Sequence, residues 1–226
     1  MYSLHIANKN YSSWSLRPWV LLKALNIPFL EIVHPFGDKL DWENYQHVSP
    51  SRLVPCLVTD KLTVWDSLAI IEYLAEKHPG VWAEDEAARA WSRSVSAQMH
   101  SGFMDLRRIC SMNCGVSVKL NAASLAELAT DISRIDALWQ YGLSTFKGPF
   151  LAGEHFTAVD AFYAPVVFRF QSFGISLSAE SEAYLQRMLQ FPAMQLWYEQ
   201  ALNEPYRDAA HEDEINRVGC LIEDRR

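Results

Sequence analysis

The feature that most narrows the fold is a change of hydrophobic period at His78-Pro79-Gly80. Before it, alternating runs and helical runs take turns. YSLHIA (2–7) alternates as a half-buried strand does, and RPWVLLKAL (17–25) repeats apolar residues at helical spacing, with Pro18 read into the tolerant first turn. Asn26-Ile27-Pro28 stops that helix, and FLEIVH (29–34) resumes a strand. LDWENYQHV (40–48) predicts a short helix ended by SPSR. VPCLVTD and KLTVW predict two strands joined at Asp60-Lys61, and DSLAIIEYLAEKH (66–78) an amphipathic helix. The order β-α-β-α-β-β-α specifies a small domain with a mixed sheet.

After GVWAED (80–85), read as a linker, only helical periodicity remains. It runs through 86–109, 125–143, 157–173 and 183–202, and no segment there predicts a strand. The charged stretch HEDEINRVGCLIEDRR (211–226) predicts no ordered element. The expected organisation is therefore an α+β domain at residues 1–80 followed by an all-α domain at 86–226.

The formal net charge is −7 over 226 residues, which argues against nucleic acid or an anionic membrane as the main partner. No apolar run reaches the roughly 18–20 residues of a membrane span, and no leader pattern opens the chain, so a cytoplasmic location is expected. Cys56, Cys110, Cys114 and Cys220 form no CxxC and have no nearby histidine spacing. Buried free thiols, with no metal site, are the expectation.

Three short motifs carry possible chemistry. NYSSWSLRPW (10–19) sets Ser12, Ser13 and Ser15 where a strand hands over to a helix. Unpaired N–H groups and the helix dipole favour an anion there, and a hydroxyl adds one more donor. A thiolate is one such anion; plain N-capping by a serine is the alternative. Pro55 opens a presumed strand in LVPCLV. A cis Val54–Pro55 bond would leave the Val54 backbone groups to pair with an extended ligand, whereas a trans bond fits a strand edge. Asp66 and Ser67 head the next helix. Ser67 can cap it while orphan N–H groups hold a carboxylate and Asp66 an ammonium, a pairing suited to an α-amino acid; simple capping is the alternative.

Taken in order, these motifs and the helical second half resemble the cytosolic glutathione transferase family, whose first domain is thioredoxin-like. FLAGEHFTAVDAFYAP (150–165) is similar to the family's FLxGxxxTxAD segment, in which Thr157 and Asp160 form a reciprocal cap. SSWSLRPWVLLKALNI looks like the zeta-class pattern SSCSWRVRIALALKGI, aligned without a gap through Ile27. Trp14 stands at the zeta cysteine, Arg17 is retained, Trp19 replaces the second arginine, and Arg52 stands where the family has glycine.

The resemblance implies glutathione as co-substrate. It implies Ser12 as activator of the glutathione thiol with Ser13 as the substitute. Val54, before Pro55, would pair with the cysteinyl backbone, and Asp66 with Ser67 would hold the γ-glutamyl end. Lys39 or Arg52 would reach the glycyl carboxylate. It also implies a homodimer and a small hydrophobic electrophile held by the helical half. Met99, Phe103, Met104, Arg107 and Met112 either line that pocket or pack between helices. His100 has no partner nameable from sequence and stays outside the catalytic set. The implied activity is transfer, with glutathione-dependent isomerisation, dehalogenation or a catalytically silent binding protein as alternatives.

Overall fold

The computed structural model describes residues 1–36 and 47–226. Lys39 and most of the helix predicted at 40–48 lie outside the described residues. Four strands form one sheet in the order β2-β1-β3-β4: β1 (Tyr2–Ile6), β2 (Phe29–Val33), β3 (Cys56–Val58) and β4 (Thr63–Trp65). β1 and β2 are parallel, and the other two pairings are antiparallel. The sheet is therefore mixed, as the element order requires. In β1, Leu4 and Ile6 alternate into the core and are fully buried, so the period-2 pattern fixes which face looks inward.

α1 (Ser13–Ala24) follows β1, and α2 (Ser67–Ala75) follows β4. Nine residues of α1 are buried, from Ser13 to Leu22, because the helix lies between the sheet and the helical half. The helix starts at Ser13, so Pro18 sits at its sixth residue rather than in the first turn. A proline there cannot donate back to the carbonyl four residues earlier, that of Trp14.

The second half holds α3 (Glu86–Ser101), α4 (Met104–Ile109), α5 (Ala122–Phe146), α6 (Ala158–Phe173), α7 (Ala179–Gln190), α8 (Pro192–Leu202) and α9 (Ala209–Val218). Its central helix is α6, buried at all but one residue and packed against α1. Apart from Asp160, Arg169, Gln171 and Ser172 its side chains are apolar or aromatic, and a helix with so few polar residues has to lie inside. Its entry is fixed by the expected cap. Asp160 accepts the Thr157 N–H at 3.0 Å, and also the Leu151 N–H at 3.0 Å and the Tyr184 hydroxyl at 2.9 Å. The linker is pinned too, since Val81 and Trp82 are buried and the Val81 carbonyl accepts the Ala158 N–H at 2.8 Å.

Three expectations need correction. The helical half contains a two-stranded antiparallel ribbon, β5 (Val116–Leu120) with β6 (Gly219–Asp224). VSVKL does alternate, burying Val116, Val118 and Leu120, but five residues among long helices leave a weak signal. The charged stretch at 211–226 is ordered within α9 and β6, because Arg226 bonds Glu212 and Asp224 and strand pairing uses the backbone. The periodic run from Glu86 to Ile109 breaks at Gly102, where Phe103 turns left-handed with φ 56°. Among the described residues, no helix is long and apolar enough to cross a membrane.

Candidate functional site

The serine turn is built by local bonds and then gripped from outside. Tyr11 and Ser12 N–H groups both donate to the Asn8 carbonyl, at 3.2 and 2.9 Å. Ser12 occupies the N-cap position of α1 but makes no capping bond with its side chain. Its hydroxyl donates to Ser15 Oγ at 2.7 Å, and the same Ser15 oxygen accepts the Ala7 N–H at 3.1 Å. Ser13 begins the helix beside it, and both residues are buried to more than nine-tenths.

The helical half supplies the grip. Glu204, just beyond α8, accepts the Lys9 N–H at 2.7 Å and the Asn10 N–H at 3.2 Å. Trp197 Nε1 donates to the Lys9 carbonyl at 2.9 Å, and Asn10 Nδ2 to the Ala201 carbonyl at 2.6 Å. On the other side, the Tyr11 hydroxyl donates to Glu212, and its ring stacks on His211 of α9.

At the head of α2 the roles differ from the expected ones. Asp66, with φ 71°, is the cap: its Oδ1 accepts the Leu68 N–H at 2.8 Å and the Ala69 N–H at 3.4 Å. Ser67 is the first helical residue and accepts Arg17 Nη1 at 3.3 Å. Arg17 therefore ties α1 to α2. It is 1% exposed, its Nε has no partner, and burial followed by repulsion from Arg107 and Arg169 pulls its pKa well down.

Trp14 lies between two guanidinium groups, Arg17 at 4.3 Å and Arg107 at 4.8 Å from its ring centre. His100 meets the same indole edge-on at 5.2 Å and brings Nε2 to 3.3 Å from Asp66 Oδ2. Sequence reasoning left out His100 because its partner is 34 residues away on another helix. It missed Glu204 altogether, since a lone glutamate after a helix carries no signal.

Val54–Pro55 is cis, the alternative in which the Val54 backbone groups are expected to pair with an extended ligand. β3 begins at Cys56, which pairs with His5, so Pro55 and Val54 run on toward the end of β1 and the start of the serine turn. Arg52 has φ 58°, the left-handed region that explains a family preference for glycine there. The proposed pocket stripe divides. Met99, Phe103 and Met112 are buried in the core, Met104 is exposed, and Arg107 binds the carbonyls of Met99, His100 and Gly102. Of the cysteines, Cys56, Cys110 and Cys114 are buried, whereas Cys220 on β6 is exposed, against expectation.

A family profile for the glutathione S-transferase N-terminal domain matches residues 11–77, and one for the C-terminal domain matches residues 119–200. The chain belongs to the glutathione S-transferase family. A probable maleylacetoacetate isomerase from Caenorhabditis elegans is 28% identical over 176 residues, covering 74% of this chain and 81% of the relative. The mouse maleylacetoacetate isomerase is 28% identical over 171 residues, covering 74% and 76%. A Burkholderia glutathione transferase homolog, solved with bound glutathione, shares the fold with a TM-score of 0.67 at 24% identity, covering 90% of this chain and 99% of that one. The family assignment agrees with the thioredoxin-like sheet and helical second half described above.

Proposed function

We propose that this transferase-family protein binds glutathione, holds its sulfur as a thiolate at the head of α1, and directs it at a small hydrophobic electrophile. The observation that carries this reading is the Ser12 N-cap: with the Ser13 N–H bonded to the Tyr11 carbonyl at 3.0 Å, the Ser12 side chain leaves the Trp14 and Ser15 N–H groups of α1 uncapped. Those groups and the helix dipole favour an anion. Rotation about the Ser12 Cα–Cβ bond moves its proton from Ser15 to an incoming sulfur. Ser15 then still holds the Ala7 N–H, so the exchange leaves no backbone group orphaned. Ser13 is the second candidate donor.

The Val54 backbone pairs with the cysteinyl residue, while Asp66 and Ser67 take the γ-glutamyl ammonium and carboxylate. Residues 1–80 bind the tripeptide and residues 86–226 supply the electrophile wall. The protein acts in the cytoplasm as a two-fold homodimer, for which light scattering at micromolar concentration is the check.

A depression of two pKa units in the bound thiol corresponds to about 2.7 kcal/mol, within reach of one or two bonds to a charged acceptor. Ultraviolet titration of bound glutathione in wild type, Ser12→Ala and Ser13→Ala tests this. Loss of the depression in Ser12→Ala is expected, and an unchanged thiol pKa in both variants removes the serines from the mechanism.

The isomerase names of the relatives favour a second reaction at the same thiolate. The sulfur adds to a cis-enone acid, the former double bond rotates, and the sulfur is expelled to give the trans product. Product analysis with a cis-enone acid against an aryl halide separates isomerisation from transfer.

A further inference from the structure

The contact between His100 and Asp66 joins the helical half to the head of α2, and nothing in the reading above assigns His100 a task. Asp66 Oδ1 is committed to the Leu68 and Ala69 N–H groups, which leaves Oδ2 to face outward, toward His100 Nε2 at 3.3 Å. The imidazole packs against the aromatic rings of Trp14 at 5.2 Å and Phe162 at 6.3 Å, and Arg107 binds the His100 carbonyl.

The charged groups facing the ring are Asp66 on α2, Arg17 on α1 and Arg107 on α4. Nδ1 is buried without a partner, so a second ring proton would have no acceptor. Burial, opposed by Asp66 and reinforced by Arg17 and Arg107, keeps the His100 pKa below 6.5.

We propose that His100 is a positioning residue for ammonium recognition, its neutral ring, already 3.3 Å from Asp66 Oδ2, turning Nε2–H onto that oxygen as the ligand binds and aiming the carboxylate at the amino group of glutathione's γ-glutamyl end. The inference rests on the glutathione reading and deepens it. A neutral donor orients Asp66 without cancelling its charge, and a carboxylate oxygen has lone pairs for both partners. A protonated ring would turn Asp66 into half of a neutral ion pair. The incoming ammonium would then meet Arg17, Arg107 and an imidazolium together. Glutathione binding therefore weakens as pH falls through the His100 pKa.

The test compares glutathione with its des-amino analogue, in which hydrogen replaces the γ-glutamyl amine, binding to wild type, His100→Phe and His100→Gln. Calorimetry reads both affinities from neutral pH downward. Wild type should prefer glutathione by about tenfold, the worth of one charge-assisted bond. His100→Phe should lose most of that preference. His100→Gln keeps a neutral donor, so it should retain the preference and lose the acid-side weakening. An unchanged preference in His100→Phe, or an unchanged acid limb in His100→Gln, overturns the role of His100. Failure of wild type to bind glutathione sinks the underlying reading instead.

Discussion

The grip of Glu204 on the serine turn gives a prediction that connects the two halves of the chain. In Glu204→Ala both carboxylate oxygens disappear, and the N–H groups of Lys9 and Asn10 lose their acceptor. Those residues are 5% and 0% exposed, so water cannot fully replace the carboxylate. Each orphaned buried donor costs about 1–3 kcal/mol. Against this stands the relief of a desolvated carboxylate, since burial raises the Glu204 pKa even with both bonds made. The net loss should be about 2–4 kcal/mol. Glu204→Gln keeps one acceptor but turns an amide NH2 toward the other N–H, so about half of that loss is expected.

Urea unfolding measures the change, with Glu199→Ala, an exposed glutamate on α8, as the control. The same Ala variant should raise the pKa of bound glutathione thiol, because Ser12 takes its backbone bond from the turn that Glu204 anchors. A Glu204→Ala protein within about 0.5 kcal/mol of wild type at unchanged m-value would refute the reasoning.

Two further outcomes follow from buried and paired carboxylates. Asp160→Ala strips the acceptor from the Leu151 N–H, the Thr157 N–H and the Tyr184 hydroxyl, and should cost about 3–5 kcal/mol in urea unfolding. Its pKa is pushed up to about 6 by burial, above the ordinary 3.8, so the native state binds the extra proton and stability falls as pH rises between those values. The Ala variant should lose that descending limb. Asp224 has the opposite sign: hydrogen bonding from Arg226 lowers its pKa to about 2, so its contribution is present above 3.8 and lost as pH falls toward 2. Arg226→Gln should flatten this acid limb in a stability–pH series; an unchanged limb would count against the pairing.

Much of the fold was legible because it depends on period. Leu4 and Ile6 alternate, the α6 segment repeats apolar residues at helical spacing, and the Thr157–Asp160 spacing announces a cap; each signal is local to a few residues. The ribbon was lost because β6 is held by pairing with a strand about a hundred residues earlier, and its own burial is slight. Ser12, Asp66 and Ser67 could be placed at helix starts because such starts have a chemical signature. The division of labour between Asp66 and Ser67 could not, because Ser67 is claimed by Arg17, 50 residues away. His100 and Glu204 fall to the same limit. Each matters through tertiary contacts, and periodicity reports faces without naming what a face will meet.

Trp14 then restricts the kind of thiol chemistry available. Where the zeta pattern has a cysteine, this chain places an indole between Arg17 and Arg107, with no sulfur of its own at the head of α1. The buried thiols are poor substitutes: Cys114 meets the turn, its thiol donating to the Lys9 carbonyl at 3.6 Å, but burial raises its pKa, raises that of Cys56 and pushes Cys110 up to about 12. Cys220 is exposed but lies on β6, in the ribbon of the helical half. A mixed disulfide formed through the protein's own cysteine at this turn is therefore disfavoured by burial. On the proposed reading, the sulfur that reacts arrives with glutathione. The contacts that hold the turn and the head of α2, from Glu204 and His100, would on that reading set the place of a nucleophile that the chain does not carry.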